Sequence, residues 1–165
     1  MSKWSTVWRR WAGMCLLVLG LAGCASSGGG GRGVIGEINL FTAPMALNAG
    51  GRSAPSAIGV RVYATAPGGA RGIAIRDGLL EILMFDGAVA DVSAPNVKPL
   101  KIWKFGADDL KDFSTTTSLG DGYQLALRWE LARPTGRVVT VIARYRGAKG
   151  GEIFSAPSTV AVSSK

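Results

Sequence analysis

The sequence predicts an all-β domain, an antiparallel sandwich of about seven strands that follows a signal peptide and a glycine-rich tether. Two observations predict it. From Gly36 onward the hydrophobic residues recur with a period of two rather than 3.6, as expected for strands with one buried face. Turn-forming pairs such as Asp77-Gly78 and Asp121-Gly122 divide this pattern into short runs.

The runs define the individual elements. The predicted strands, in chain order, span 37–41, 60–65, 80–85, 100–105, 123–130, 139–146 and 159–162. Only residues 107–113 have helical character, enough for one or two turns, and the threonine-rich stretch 114–118 is interpreted as a polar loop. The expected core consists of Val60, Val62, Leu80, Ile82, Met84, Ile102, Leu125, Leu127, Trp129, Val139 and Val141.

The composition excludes a disordered chain and a protein with many membrane spans, since 47% of the 165 residues are hydrophobic and 18% are charged. The formal net charge is +8. Lys3, Arg9 and Arg10 lie in the segment predicted to be removed, so the mature chain keeps about +5. This surplus favours anionic neighbours such as lipid head groups, cell-wall polymer or an acidic protein surface. Nucleic acid is not an expected partner, because no basic run alternates with aromatic residues.

Residues 1–23 are predicted to be a removable signal peptide. A basic start is followed by an apolar stretch from Trp11 to Ala22 and then by small residues, the order typical of export signals. About a dozen apolar residues are too few for a helix that crosses a bilayer, which needs roughly 20. We therefore expect this segment to be cleaved.

The end of the apolar stretch carries the most specific motif in the chain. Leu21-Ala22-Gly23-Cys24 resembles the lipobox that the bacterial lipoprotein signal peptidase recognises. The resemblance implies that the Cys24 thiol accepts a diacylglyceryl group and that Leu21, Ala22 and Gly23 fit the peptidase. Cleavage would free the Cys24 amine for a further fatty acid such as palmitate, and two or three acyl chains hold a protein durably. Ala25 follows where an aspartate would retain enterobacterial lipoproteins in the inner membrane, which favours the outer membrane.

Residues 24–33 are predicted to be a flexible tether, and 34–165 to be the sandwich domain. Gly28, Gly30 and Gly33 have the spacing of a dinucleotide-binding loop, but that motif needs a strand before it and a helix after it. Here a cleavage site precedes the glycines, so the glycine-serine composition indicates a linker. A flexible linker of about ten residues spans on the order of 18 Å.

Most catalytic and metal sites need residues that this chain lacks. It has no histidine, and its two cysteines are Cys15, inside the signal peptide, and Cys24. Ser-His-Asp and Cys-His nucleophile systems, ordinary zinc sites and a disulfide within one mature chain are therefore excluded. Eleven acidic residues, scattered mostly at turns, single out no pair for glycosidic-bond cleavage. We expect no enzymatic activity, no catalytic residues and no cofactor.

The nearest approach to a metal cluster is Asp108, Asp109 and Asp112, with Asp121 further along. Calcium binds several oxygen ligands, but the regular spacing of a calcium loop is absent. Negative charge in the first turn of a helix explains Asp108 and Asp109 without an ion. We expect no metal site here.

Basic residues surround Trp103 and end the later strands. They are Lys98, Lys101, Lys104, Lys111, Arg128, Arg144 and Arg146. The arginines would lie on adjacent outward faces if the last strands pair. These cations form either a contact surface for an anionic partner or solvated charges that protect sheet edges from aggregation, and we favour the second interpretation. Trp103 and Trp129 are expected in the core or at its border rather than as platforms for sugars.

The lipobox and the predicted sandwich together resemble the broad class of uncharacterised bacterial lipoproteins with one immunoglobulin-like or transthyretin-like domain. A second resemblance begins at Leu47-Asn48. It continues through Gly51-Arg52-Ser53-Ala54-Pro55 and Val60-Arg61-Val62-Tyr63, which are similar to the opening of the outer-membrane lipoprotein of type VI secretion systems. In that family a transthyretin-like sandwich holds a membrane complex in place.

Two functions from different classes are expected. The first is a non-enzymatic, lipid-anchored envelope protein whose sandwich contacts another protein, for instance in a secretion or transport assembly. The second is a binding lipoprotein for a small molecule, a cell-wall fragment or a surface polysaccharide. In both, the protein is held to a membrane through Cys24 and faces the periplasm or the cell surface.

Overall fold

Two β-sheets packed face to face form the part of the chain that the structure describes. The computed structural model describes residues 33–49, 54–91 and 97–162. The strands in these ranges are β1 (Glu37–Thr42), β2 (Ala57–Thr65), β3 (Gly72–Ile73), β4 (Leu79–Asp86), β5 (Lys101–Gly106), β6 (Ser114–Thr117), β7 (Gly120–Arg128), β8 (Val138–Arg146), β9 (Glu152–Phe154) and β10 (Ser158–Ala161). The predicted all-β sandwich is confirmed.

Each sheet is built around one long antiparallel pair. Sheet A contains β1, β2, β7 and β6 side by side, with the two-residue β3 bridging the ends of β2 and β7. Sheet B contains β10, β8, β4 and β5 side by side. β10 pairs with the first residues of β8, and β9 pairs with its last residues. All these pairings are antiparallel except the single parallel contact between Gly72 in β3 and Gly120 in β7. The chain therefore passes between the two sheets three times, after β3, after β5 and after β7.

The hydrophobic core lies between the inner faces of the two sheets. In sheet A, Val60 and Val62 of β2 stand opposite Leu125 and Tyr123 of β7. In sheet B, alternate residues of β4 and β8 fill the same layer, because successive side chains of a strand point to opposite faces. Every predicted core residue except Ile102 is buried.

The prediction that Ile102 lies in the core is wrong. It is 37% exposed on β5, an edge strand of sheet B. The register of β5 against β4 places Trp103 opposite Ile82 and Phe105 opposite the inward Leu80. Ile102 therefore points to the outer face together with its partner Leu83.

The stretch 114–118 is not a loop, because Ser114–Thr117 forms β6, an edge strand paired with the first residues of β7. The sequence pattern did not reveal this strand, since a run of serine and threonine gives no hydrophobic period. β3 and β9 were also missed, being two and three residues long. The helical prediction for 107–113 corresponds to a 3-10 helix, Asp109–Phe113, whose Leu110 is buried in the core.

The two ends of the sandwich differ in what they carry. The entry end, where the chain enters β1, contains the turn after β2 and the turn between β8 and β9, since Glu37 pairs with Thr65. The opposite end, which we call the far end, contains the described segments 43–49, 54–56, 87–91, 97–100 and 129–137, since Ala57 pairs with Arg128. Nine-residue strands of about 3.3 Å per residue separate these ends by about 30 Å.

Candidate binding surfaces

The predicted lipidation site lies outside the described residues. Cys24 and the recognition residues Leu21, Ala22 and Gly23 all precede residue 33, as do the signal peptide and most of the tether. Lipidation of Cys24 therefore stays a prediction from the motif. In the described ranges, no helix has both the length and the hydropathy needed to span a membrane.

The basic residues singled out in the sequence do not form one surface. Lys101 pairs with Glu130 at 2.7 Å, and Lys111 pairs with Asp108 at 2.7 Å, three residues earlier. This contact lowers the pKa of the Asp108 carboxyl and raises the pKa of Lys111, chiefly through the hydrogen bond between them. Ion pairing within the domain accounts for these cations without a partner.

The expected proximity of Arg128 to Arg144 and Arg146 is wrong. It assumed that the last long strands pair, but β7 belongs to sheet A and β8 to sheet B. Arg144 and Arg146 instead lie on the outer face of sheet B beside Lys104, around a single carboxylate. The three cations thus have an internal counter-ion.

Glu81 of β4 is that counter-ion, and its side chain is 1% exposed. Arg144 donates to Glu81 Oε2 from Nη2 at 2.7 Å and from Nε at 2.8 Å. Arg146 Nε lies 3.4 Å from the same oxygen, and Lys104 Nζ lies 3.7 Å from Oε1. Glu152 adds a second carboxylate, 2.7 Å from Arg146 Nε. Each of the three cations thus has a carboxylate partner within sheet B.

A small apolar recess adjoins this network on the same outer face. Leu83, Phe85 and Ile142 form a second buried cluster, against which Val89 and Val97 pack. The recess has a volume of about 370 Å³ and reaches the Arg144 side chain. The sequence signal for it is β4, which is apolar on both faces instead of one.

A larger groove of about 620 Å³ lies on the outer face of sheet A. Its walls carry the exposed side chains Phe41, Leu47 and Leu119, which are 56%, 42% and 55% exposed. Its floor is low because Gly59 of β2 stands opposite Ala126 of β7. A β-carbon at Gly59 would come within 3.1 Å of Leu47 Cδ1, so the missing side chain makes part of this space.

Polar and aromatic groups border the same groove. Arg61 Nη2 donates to the Gln124 side-chain oxygen at 3.0 Å across the β2–β7 pair. Tyr63 is buried although it points to this outer face, because its ring covers Gly122, where a β-carbon would lie 2.6 Å from the ring. Phe41 meets the Tyr63 ring edge-on, with centroids 6.0 Å apart. The groove is therefore apolar along its walls and offers hydrogen bonding at the Arg61–Gln124 pair.

The two tryptophans close one side of the sandwich. Trp129 is buried, whereas Trp103 is half-buried and packs against the core from the edge strand β5. Trp103 Nε1 donates to the Arg128 carbonyl oxygen at 3.0 Å, which joins sheet B to sheet A. Lys101 Nζ lies 5.5 Å from the Trp103 ring centroid. Both side chains stand where a core or border role was expected.

Three of the acidic residues considered for calcium, Asp108, Asp109 and Asp121, have separate partners. Asp109 accepts a hydrogen bond from the Gly106 amide, and Asp121 accepts one from the Thr116 hydroxyl. Within the described ranges, no three His, Cys, Asp or Glu side chains come close enough together to hold a metal ion.

No protein-family model matches this sequence, and no curated protein matches it significantly.

Proposed function

We propose that the protein is a lipid-anchored component of the bacterial cell envelope, with the outer membrane favoured, that presents a non-enzymatic β-sandwich to a partner protein. The lipobox ending at Cys24 supports the anchor. The apolar groove on sheet A supports the contact and is the observation that carries it. Clusters of exposed apolar side chains on small soluble domains mark interaction sites.

A protein segment is the occupant we favour for this groove. Phe41 and Leu119 stand far out from the sheet, so they can bury new surface only against a partner that is itself broad. Large side chains of this kind are typical centres of protein interfaces. No catalytic step belongs to this function, because the chain has no histidine and no free cysteine after processing.

The anchor is tested with Cys24→Ala in the full-length chain. We expect the variant to accumulate as an uncleaved precursor and to lose labelling by radioactive palmitate. Cys15→Ala is the matched control, since this cysteine lies within the signal peptide and its loss should leave processing unchanged. Normal cleavage and labelling of Cys24→Ala would remove the lipoprotein part of the proposal.

The contact is tested by crosslinking in intact cells, with an affinity tag inserted after Lys149 in the exposed turn at the entry end. We expect one partner in near-equal amount, and recovery of that partner should fall about tenfold with Phe41→Ser, a loss of roughly 1.4 kcal/mol in binding. Val34→Ser is the control, because Val34 is 75% exposed but lies at the entry end. Equal recovery with both variants would show that the groove is not the contact.

A second candidate function is capture of a small molecule, cell-wall fragment or polysaccharide. The groove volume of about 620 Å³ favours it, since ligand pockets hold about 300–1,000 Å³. Isothermal titration with solubilised cell-wall fragments separates the two functions. Heat that disappears in Phe41→Ser would favour the ligand, whereas no heat together with a recovered partner would favour protein contact.

A further inference from the structure

The loop that joins β7 to β8, residues 129–137, carries the most exposed large hydrophobic side chain among the described residues. Leu131 is 98% exposed, although Trp129, two positions earlier, is buried in the core. Single exposed leucines are common on protein surfaces and carry no meaning by themselves. The backbone that holds this leucine is what distinguishes it.

Two clamps hold the loop, one on each side of Leu131. On the first side, Lys101 Nζ binds the Glu130 carboxylate at 2.7 Å and the Trp129 carbonyl oxygen at 3.4 Å. On the second side, the Asp86 carboxylate accepts hydrogen bonds from the Thr135 and Gly136 amides at 3.1 and 3.0 Å. The loop is thus tied to the ends of both β4 and β5.

The first clamp holds a strained residue. Glu130 has φ 53°, and it is the one non-glycine residue with positive φ in the described ranges. Side chains rarely adopt this left-handed conformation, and such strain persists where the surrounding contacts impose it, often at functional sites. Here the Lys101 ion pair and the hydrogen bond that the Ala132 amide donates to the Trp129 carbonyl oxygen hold the turn, which directs Leu131 away from the domain.

The charge around Leu131 is positive. Arg128 and Arg133 line the same surface as Leu131, are exposed, and take part in none of the salt bridges found among the described residues. The carboxylate of Glu130 is neutralised by Lys101. An apolar tip beside the Arg133 guanidinium, which has no salt bridge among the described residues, matches an apolar recess that has carboxylates at its border.

We propose that this loop is a preformed plug, in which Leu131 enters an apolar recess of a partner protein and Arg133 pairs with carboxylates at its border. The proposal rests on the anchoring part of the proposed function and adds the chemistry of the partner. Because the loop is already held in one conformation, binding costs little conformational entropy.

The position of the loop favours a protein over a lipid bilayer as the occupant. The loop lies at the far end, about 30 Å from the end at which the chain leads back toward Cys24. The loop and the start of β1 are thus at opposite ends of the domain, so we take a protein, rather than the bilayer that would hold Cys24, as its occupant.

The test is site-specific photocrosslinking in intact cells with the full-length chain. An amino acid with an aliphatic diazirine replaces Leu131, which the 98% exposure allows without disturbing the fold. We expect a discrete crosslinked protein whose yield falls about tenfold when Arg133→Glu is added, because reversing one charge at the border opposes the pairing. Arg71→Glu, an exposed arginine at the entry end, is the matched control and should leave the yield unchanged.

Other products would overturn the proposal. An adduct with the mass of a phospholipid would identify a bilayer as the occupant. No adduct, or a protein adduct that Arg133→Glu leaves unchanged, would remove the plug. Cys24→Ala tests the anchor and Phe41→Ser tests the groove. The outcome for the loop can therefore be distinguished from a failure of the anchor or of the groove.

Discussion

Glu81 shows how the domain accommodates a charge on a strand that is apolar on both faces. Among the described residues it is the one charged side chain that is fully buried, and Arg144, 17% exposed, is its principal partner. Replacing it with glutamine keeps the size but removes the negative charge. We expect Glu81→Gln to lower the free energy of unfolding by about 2 kcal/mol, measured by urea denaturation, because a cation with little access to water loses its counter-ion.

Glu152→Gln is the comparison for Glu81. Glu152 contacts Arg146 at 2.7 Å but both side chains are more than 40% exposed. Exposed ion pairs contribute little, so we expect a change of about 0.5 kcal/mol or less. Equal effects of the two substitutions would mean that the buried position of Glu81 does not matter.

Tyr145 gives the fold a dependence on alkaline pH. Burial, together with the hydrogen bond that its hydroxyl donates to Asp77, raises the pKa of Tyr145 to about 12 from an ordinary value of 10.0. The neutral phenol is the form that the fold favours, so its stabilising contribution is complete below pH 10 and is lost as the pH rises toward 12. We expect Tyr145→Phe to cost about 1 kcal/mol at pH 7 and to flatten the decline above pH 10, followed by chemical denaturation at several pH values. A decline of unchanged slope would contradict this assignment.

Gly122 and Gly59 lie on the same sheet but differ in how much room a side chain would have. A β-carbon at Gly122 would lie 2.6 Å from the buried Tyr63 ring, whereas one at Gly59 would meet the end of the exposed Leu47 side chain at 3.1 Å. We expect Gly122→Ala to lower the free energy of unfolding by about 2 kcal/mol, and Gly59→Ala to change it by less than about 0.5 kcal/mol. The melting temperature of each variant should follow the same order. The reverse order would mean that Tyr63 does not lie on Gly122.

At the scale of elements, the clamp between β4 and the loop 129–137 depends on an ionised carboxylate. The Thr135 hydroxyl hydrogen bond, followed by the Gly136 amide, lowers the pKa of Asp86 below its ordinary 3.8. The contribution of this clamp is therefore present above about pH 4 and is lost as the pH falls through the lowered pKa. We expect Asp86→Ala to reduce the protection of the Thr135 and Gly136 amides, measured as their hydrogen exchange rates relative to an unfolded chain at the same pH, and acid to do the same in the unchanged protein. Equal exchange rates with and without the carboxylate would contradict the clamp.

The elements that the sequence predicted are those with a strong period of two. β7 from Tyr123 onward and β8 have it, and their predicted boundaries agree with the structure within three residues. β6 has no hydrophobic period and could be found only through its pairing with β7. The outward direction of Ile102 depends on the register of β5 against β4, which is a tertiary property that no local pattern encodes.

At the scale of the whole molecule, the described residues contain a complete core, so the domain should fold without its leader. We expect the fragment 33–165 to be a soluble, β-rich monomer that unfolds cooperatively, with far-UV circular dichroism and sedimentation as the measurements. A disordered spectrum would show that residues before Gly33 are needed. The urea and pH experiments above use this fragment.

The candidate surfaces were much harder to predict than the fold. The groove depends on Gly59 lying opposite Ala126, and this pairing joins residues far apart in the chain. Leu131 has an ordinary sequence context, and only its exposure and the φ of Glu130 single it out. Conversely, the prediction of a lipobox rests on four adjacent residues, Leu21-Ala22-Gly23-Cys24, so a local sequence pattern is sufficient to make it.

The pairing of distant strands also has a consequence for the order of events in the cell. Glu81 and Arg144 face each other from positions 63 residues apart, and so do Arg61 and Gln124. Neither sheet can form its central pair until most of the chain is present, and folds dominated by such contacts form slowly. A nascent chain with this topology therefore lacks the central strand pair of each sheet until β7 and then β8 have been synthesised.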